Sequence, residues 1–190
     1  MKEWAEENGI KINSSLDLYN FPGTGRGFIS KRQILKHQTV LEIPKEILLN
    51  VNWIYQNGIS CISQAVKTNP NFKVDAFEMV TLWLMYEKQR GCRSELRDYI
   101  STLPPSRQCI IPLHYRVKQL KLLPKQFRDK VEDLRDEMQD RFESLKRKWR
   151  EGTTSWSFSW ADFQWAATMV LTRGVKCNGL KLIPDLRIGL

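Results

Sequence analysis

The sequence predicts an α+β fold, with strands in the first fifty residues and helices in most of the remainder. Three observations carry this. Glycines alternate through Phe21-Pro22-Gly23-Thr24-Gly25-Arg26-Gly27-Phe28, which excludes a helix interior there. Apolar residues recur at helical spacing over 74–90 and again over 124–149. A tryptophan- and alanine-rich stretch, 160–173, opens behind a serine cap and closes at Gly174.

Taken in order, residues 3–14 carry Trp4 and Ile10 and predict a short helix ending at Asn8-Gly9. A strand is expected to begin at Gly27-Phe28-Ile29-Ser30. A second is expected over Gln38-Thr39-Val40-Leu41-Glu42-Ile43-Pro44, stopped by its proline. A polar stretch runs from Asn50 to Pro70. The first long helix is predicted from Val74 to Arg90, on Phe77, Val80, Leu84 and Met85, with Gly91 as its stop. A short helix over 94–103 precedes Pro104-Pro105, and 112–123 gives no clear pattern.

The longest helix is expected from Pro124 to Trp149. Phe127, Val131, Leu134, Met138, Phe142, Leu145 and Trp149 form one stripe along it. Pro124 fits its first turn, and Lys146-Arg147-Lys148 complement the dipole at its end. Gly152-Thr153-Thr154-Ser155 breaks it, and Ser159 with Asp162 three residues on reads as the cap of the last helix.

Composition bounds the function. The 190 residues suit a domain of ~100–200 residues, and 42% hydrophobic content with seven tryptophans and eight phenylalanines demands a core. No apolar run approaches the ~20 residues of a membrane helix, and the first fifteen residues lack an apolar signal region, so neither a membrane partner nor secretion is expected. Cys61, Cys92, Cys109 and Cys177 never form a CxxC pair, and only His37 and His114 accompany them. Free thiols in a reducing compartment are expected, with no metal site. The histidines read as ordinary loop residues.

The net charge of +9 is dispersed and reads as a solvated surface. Lys146-Arg147-Lys148-Trp149-Arg150 is the one basic cluster interleaved with an aromatic ring, and no nucleic-acid motif accompanies it, so direct nucleic-acid binding is not expected. The carboxylates Asp129, Glu132, Asp133, Asp136, Glu137 and Asp140 read as the solvent face of the long helix.

The glycine-rich segment is neither a dinucleotide fingerprint, because a strand and not a helix comes after it, nor a phosphate-binding Walker loop, because no Gly-Lys-Ser/Thr completes it. A loop lacking Cβ atoms lets its main-chain N–H and C=O groups reach a ligand directly. Arg26 or Arg173 could grip a carboxylate in bidentate fashion. Arg26 reads equally as an exposed turn residue, and Arg173 as a cation complementing a helix C-terminus.

The order of segments carries more than any one of them. FPGTGRGF at 21–28 is followed by VLEIPKEILL at 40–49. Then come a helix ending Tyr86-Glu87-Lys88, Tyr99-Ile100-Ser101-Thr102-Leu103-Pro104, a long charged helical insert, and 165–173. This series, over about residues 4–180, resembles the SET-domain protein-lysine methyltransferases with a split SET domain, of the Rubisco large-subunit methyltransferase type. The resemblance implies an N-terminal SET segment at 1–50, a helical insert at 51–175, and the start of a C-terminal SET half at 176–190. It implies S-adenosylmethionine as the methyl donor and a lysine on a histone or another protein as the acceptor, in the nucleus and/or cytoplasm. It places donor binding at Thr24, Gly25, Arg26, Gly27, Phe28 and Arg173.

The family also uses an Asn-His pair and a later tyrosine. No Asn-His pair occurs here, and Tyr19, Tyr55, Tyr86, Tyr99 and Tyr115 all precede the expected position, so no catalytic residue is assigned. The chain thus reads as C-terminally truncated, or as a natural short form. It is expected to be poorly stable, weakly active or inactive, and a weak binder of the donor. The alternative is a non-catalytic helical interaction module, docking through the 124–149 stripe. The oligomeric state is left open.

Overall fold

The structure, a computed structural model, describes residues 2–57, 62, 65, 69, 72–109, 111–152 and 156–174. The chain divides into two units, Met1–Leu48 and Leu49–Leu190. The expected division into segments cannot be followed beyond residue 174, since the rest lies outside the described residues.

In the first unit, α1 (Lys2–Glu7) ends at Asn8 and Gly9, where the Ile10 N–H returns to the Ala5 carbonyl at 2.8 Å. The segment to residue 14 is therefore not helical. β1 (Lys11–Ile12) pairs antiparallel with β4 (Leu41–Glu42). Only two residues of the expected 38–44 strand are thus in a ladder, although Val40 still accepts from the Asn13 N–H at 3.0 Å. Between them lies a hairpin of β2 (Leu16–Phe21) and β3 (Gly25–Ser30), in register from Leu16↔Ser30 to Phe21↔Gly25. The strand begins at Gly25, two residues earlier than the sequence suggests.

The second unit is built on α3 (Ala76–Arg90), which comes after α2 (Val51–Asn57). Consecutive residues Phe77 to Met85 are all buried, Glu78 and Thr81 among them, so α3 is enclosed all round and forms the centre of the core. Asp75 caps it. The carboxylate accepts from the Glu78 N–H at 2.8 Å, and Glu78 accepts from the Asp75 N–H at 3.0 Å. The next helix, α4 (Arg97–Thr102), starts later than expected because Ser94 is engaged elsewhere. Its hydroxyl bonds the buried Glu87 carboxylate and accepts from the Leu96 N–H.

Two 3-10 turns, Ser106–Gln108 and Pro112–His114, and the short α5 (Val117–Leu120) lead into α6 (Lys125–Gly152). At 28 residues, α6 is about 42 Å long. The last described helix, α7 (Trp160–Arg173), opens on Ser159 with the expected Asp162 capping box and ends at Gly174. Of the α6 stripe, Met138, Phe142, Leu145 and Trp149 are buried in the core, whereas Phe127 is 52% exposed. The stripe predicted over the whole helix is fully buried only from Met138 onward, with Leu134 partly buried against the core and Phe127 outside it. The six carboxylates from Asp129 to Asp140 lie mainly toward solvent, as expected.

Ion pairs and rings fasten α6 to its neighbours. Arg141 holds Asp75 at 2.6 Å and Glu137 at 3.0 Å, and Lys148 lies 3.6 Å from Glu78, so α6 reaches both members of the α3 cap. The Trp149 indole N–H donates to the Trp156 carbonyl at 2.8 Å. Phe142 sits edge-on or tilted to Phe158, Trp160 and Phe163, at centroid distances of 5.4–6.1 Å.

Candidate functional site

The hairpin tip is set by three residues. Pro22 and Gly23 take the second and third positions of a turn closed by the Thr24 N–H on the Phe21 carbonyl at 3.3 Å. Gly23 has φ +79 and Gly25 φ +86, values that a residue with a Cβ adopts only at a cost. A Cβ at either position would meet nothing within 4 Å, so backbone conformation and not crowding requires glycine there. Gly27 is different. A Cβ on it would stand 3.1 Å from the Phe21 ring, which lies across the glycine-bearing face with Tyr19 edge-on at 4.8 Å.

The pairing sorts the candidate residues. Tyr19, Phe21, Gly25 and Gly27 share one face, and Leu18, Asn20, Arg26 and Phe28 share the other. The Lys31 N–H donates to the Ser15 carbonyl at 2.8 Å, which sets the alternation of the ladder. By that alternation the main-chain N–H and C=O groups of Arg26, Phe28 and Ser30 point away from β2. Among the described residues β3 has β2 as its one strand neighbour. The segment therefore presents a backbone edge bordered by a cation and a phenyl ring. It is exposed from Pro22 through Arg26, so within the first unit it supplies one side of a site and not a closed cup.

Thr24, Gly25, Arg26, Gly27 and Phe28 are thus gathered on one hairpin of the first unit, while Arg173 ends α7 in the second. Arg173 is exposed, and its Nη1 donates to the Thr172 hydroxyl at 2.7 Å. Its charge is felt by Tyr99 and Cys109. Burial pushes both the Tyr99 hydroxyl and the Cys109 thiol above their ordinary values, and the Arg173 guanidinium opposes that rise without cancelling it. Both groups consequently remain protonated, neutral donors near neutral pH. Lys88, which also acts on Cys109, lies 4.1 Å over the Trp165 ring.

His114 is a correction to the sequence reading. It is not an ordinary loop residue, because its Nε2 lies 2.7 Å from the Thr168 hydroxyl of α7. Thr168 spends its proton on the Gln164 carbonyl at 2.8 Å, so the imidazole donates. Burial, and then the neighbouring Arg135 charge, lower its pKa from 6.5. Gln164 and Arg135 both donate to the Leu113 carbonyl, so the Pro112–His114 turn is pinned between α6 and α7. Nothing in the local sequence marks this, since the partners lie 22 to 54 residues away. His37 does lie in a loop, with φ +67. Cys92 and Cys109 are free thiols, while Cys61 and Cys177 lie outside the described residues. Among the described residues no three His, Cys, Asp or Glu side chains gather to hold a metal.

No protein-family model matches the chain. Curated relatives do. SET domain-containing protein 4 of Mus musculus is 30% identical over 92% of this chain and 40% of its own length. The Homo sapiens protein of the same name is 28% identical over the same shares. The actin-histidine N-methyltransferase of Drosophila melanogaster is 29% identical over 63% of this chain and 20% of its own length. The chain therefore spans about two fifths of the length of the first two relatives. Among solved structures, the SET domain of LSMT bound to lysine and AdoHcy matches with a TM-score of 0.70 at 17% identity, covering 95% of this chain and 41% of the other. The chain thus has the fold of that SET domain over the matched part, and in sequence it is similar to the SET domain-containing protein 4 proteins over about two fifths of their length.

Proposed function

We propose that this chain supplies the donor loop and the helical insert of an S-adenosylmethionine-dependent protein-lysine N-methyltransferase. The hairpin carries the reading. Its two positive-φ glycines and its outward-facing β3 edge expose main-chain donors and acceptors, and that edge fits a ligand with an amino-acid head group. When bound, S-adenosylmethionine supplies an activated methyl group on its sulfonium. Thr24, Gly25, Gly27 and Phe28 would hold it through the main chain, with the Arg26 side chain on the same hairpin beside it.

The acceptor class is drawn from the relatives. The solved SET neighbour was captured with lysine, which supports a lysine-bearing protein substrate, histone or other. The relative named for actin histidine makes the acceptor atom an open measurement. No catalytic residue is assigned, because the tyrosines, which sit in the hairpin and the helical unit, all precede the position at which the family's tyrosine is expected.

Photo-crosslinking of labelled S-adenosylmethionine to the chain, with peptide mapping afterwards, tests the reading. Label is expected on the peptide holding Thr24–Phe28. Gly27→Ala, which drives a methyl into the Phe21 ring, is expected to cut labelling about tenfold while circular dichroism stays unchanged. Label that ignores the hairpin would overturn the assignment. Titration calorimetry is expected to give affinity weaker than micromolar, since the exposed hairpin forms one side of a site. Product analysis with a mixed acceptor protein separates methyl-lysine from methyl-histidine.

A further inference from the structure

The segment between Asp98 and Asp129 contains no acidic residue and six basic ones, Arg107, Arg116, Lys118, Lys121, Lys125 and Arg128. Its second half forms the corner where α5 turns into α6. Three large apolar side chains stand out from that corner: Val117 is 66%, Leu122 84% and Phe127 52% exposed. Lys118, Lys121 and Lys125 around them are exposed as well. Leu120, on the inner side, is buried.

The corner is held in this form. The Arg128 guanidinium donates to the carbonyls of Leu120, Lys121 and Leu123 at 3.1–3.2 Å, capping the end of α5 and fixing the turn that carries Leu122 outward. The protrusion is thus prefolded, so little ordering entropy would be lost on contact. An exposed leucine at a turn, ringed by lysines on flexible stems, offers no groove to a peptide. Its apolar atoms are not rewarded by a phosphate backbone either. It suits a deformable surface that is apolar beneath a negatively charged layer.

We propose that the α5–α6 corner is a peripheral docking surface for an anionic lipid membrane. Leu122, Val117 and Phe127 enter the headgroup layer, and Arg116, Lys118, Lys121 and Lys125 neutralise the lipid charge. No spanning helix is needed, so the lack of a long apolar run does not speak against it. The carboxylates that begin at Asp129 continue along α6, which favours contact through the corner rather than through the helix side. The proposal is independent of the methyl-transfer reading and uses none of its residues.

Co-sedimentation of the chain with phosphatidylcholine vesicles, with and without about 30% phosphatidylserine, tests it. Binding is expected only with the anionic lipid and is expected to weaken steeply with salt. Leu122→Asp should reduce it at least tenfold, and each of Lys118→Gln, Lys121→Gln and Lys125→Gln about fivefold, with circular dichroism unchanged. Leu18→Asp, on the hairpin, should leave it intact. Equal binding to neutral vesicles, no binding, or binding insensitive to Leu122→Asp overturns the proposal. So does release from the vesicles onto duplex DNA with Leu122→Asp indifferent, which would make the surface a nucleic-acid one.

Discussion

His114 shows how one side chain acquires a role from its surroundings. In the folded chain the imidazole is held neutral, donating from Nε2 to Thr168, with burial and Arg135 both opposing a second proton. The unfolded chain takes up that proton near 6.5, the folded chain only at lower pH. The contribution is therefore fully present above 6.5 and is lost as pH falls from there through the folded value. Thermal unfolding is expected to occur at a lower temperature at acidic than at neutral pH, and His114→Gln should flatten that dependence. An unaltered pH profile in the variant would remove His114 from this account. The glycines of the hairpin are the opposite case. Their need is set by their own φ and by a ring six residues away, and the spacing of the motif already announces it.

Among the elements, α6 divides into two regimes. From Met138 to Trp149 the stripe is buried against the 156–158 segment and α7, so truncation there opens a cavity. Leu145→Ala is expected to destabilise the chain by about 2–5 kcal/mol. Phe127→Ala, in the same stripe but half exposed, is expected to cost less than about 1 kcal/mol. Denaturant melts of the two variants decide this, and equal losses would contradict the division. The periodicity of α6 was plain in the sequence, because a 3.6-residue repeat is written locally. Where along the helix the stripe ceases to be core was not, because that depends on how far the facing helices extend. The start of α7 belongs with the legible features, since Ser159-Asp162 fixes it through a contact three residues apart and the cap forms. The Asp75-Glu78 cap, equally local, starts α3 at Ala76, two residues after the expected Val74.

At the scale of the whole chain, burial is unevenly shared. The described core cluster lies entirely between Ile54 and Val170, while the first unit exposes Leu18, Tyr19, Phe28, Ile29, Leu35, Val40, Leu41 and Ile43. That much open apolar surface on short strands suits a segment whose faces are finished by other structure. Hydrogen exchange is expected to be slowest in the amides of α3 and α7 and fastest, by orders of magnitude, in the hairpin at 16–30. Protection of the hairpin equal to that of α3 would contradict this distribution. Thr24–Phe28 belong to the thinly packed unit and Arg173 to the well-packed one.

The sequence by itself determined the α+β class, the α7 cap, the stop at Gly174, the hairpin glycines and the order of segments that resembles the SET-domain family. These are contacts within a few residues, or backbone angles that one residue type permits, and they do not depend on distant parts of the chain. Tertiary structure decided that β4 keeps two ladder residues, that Phe127 faces outward, and that His114 bonds α7. It also decided that Arg173 works on Tyr99 and Cys109. Each of these depends on a partner tens of residues away, whose position is a result of packing and which no local pattern encodes.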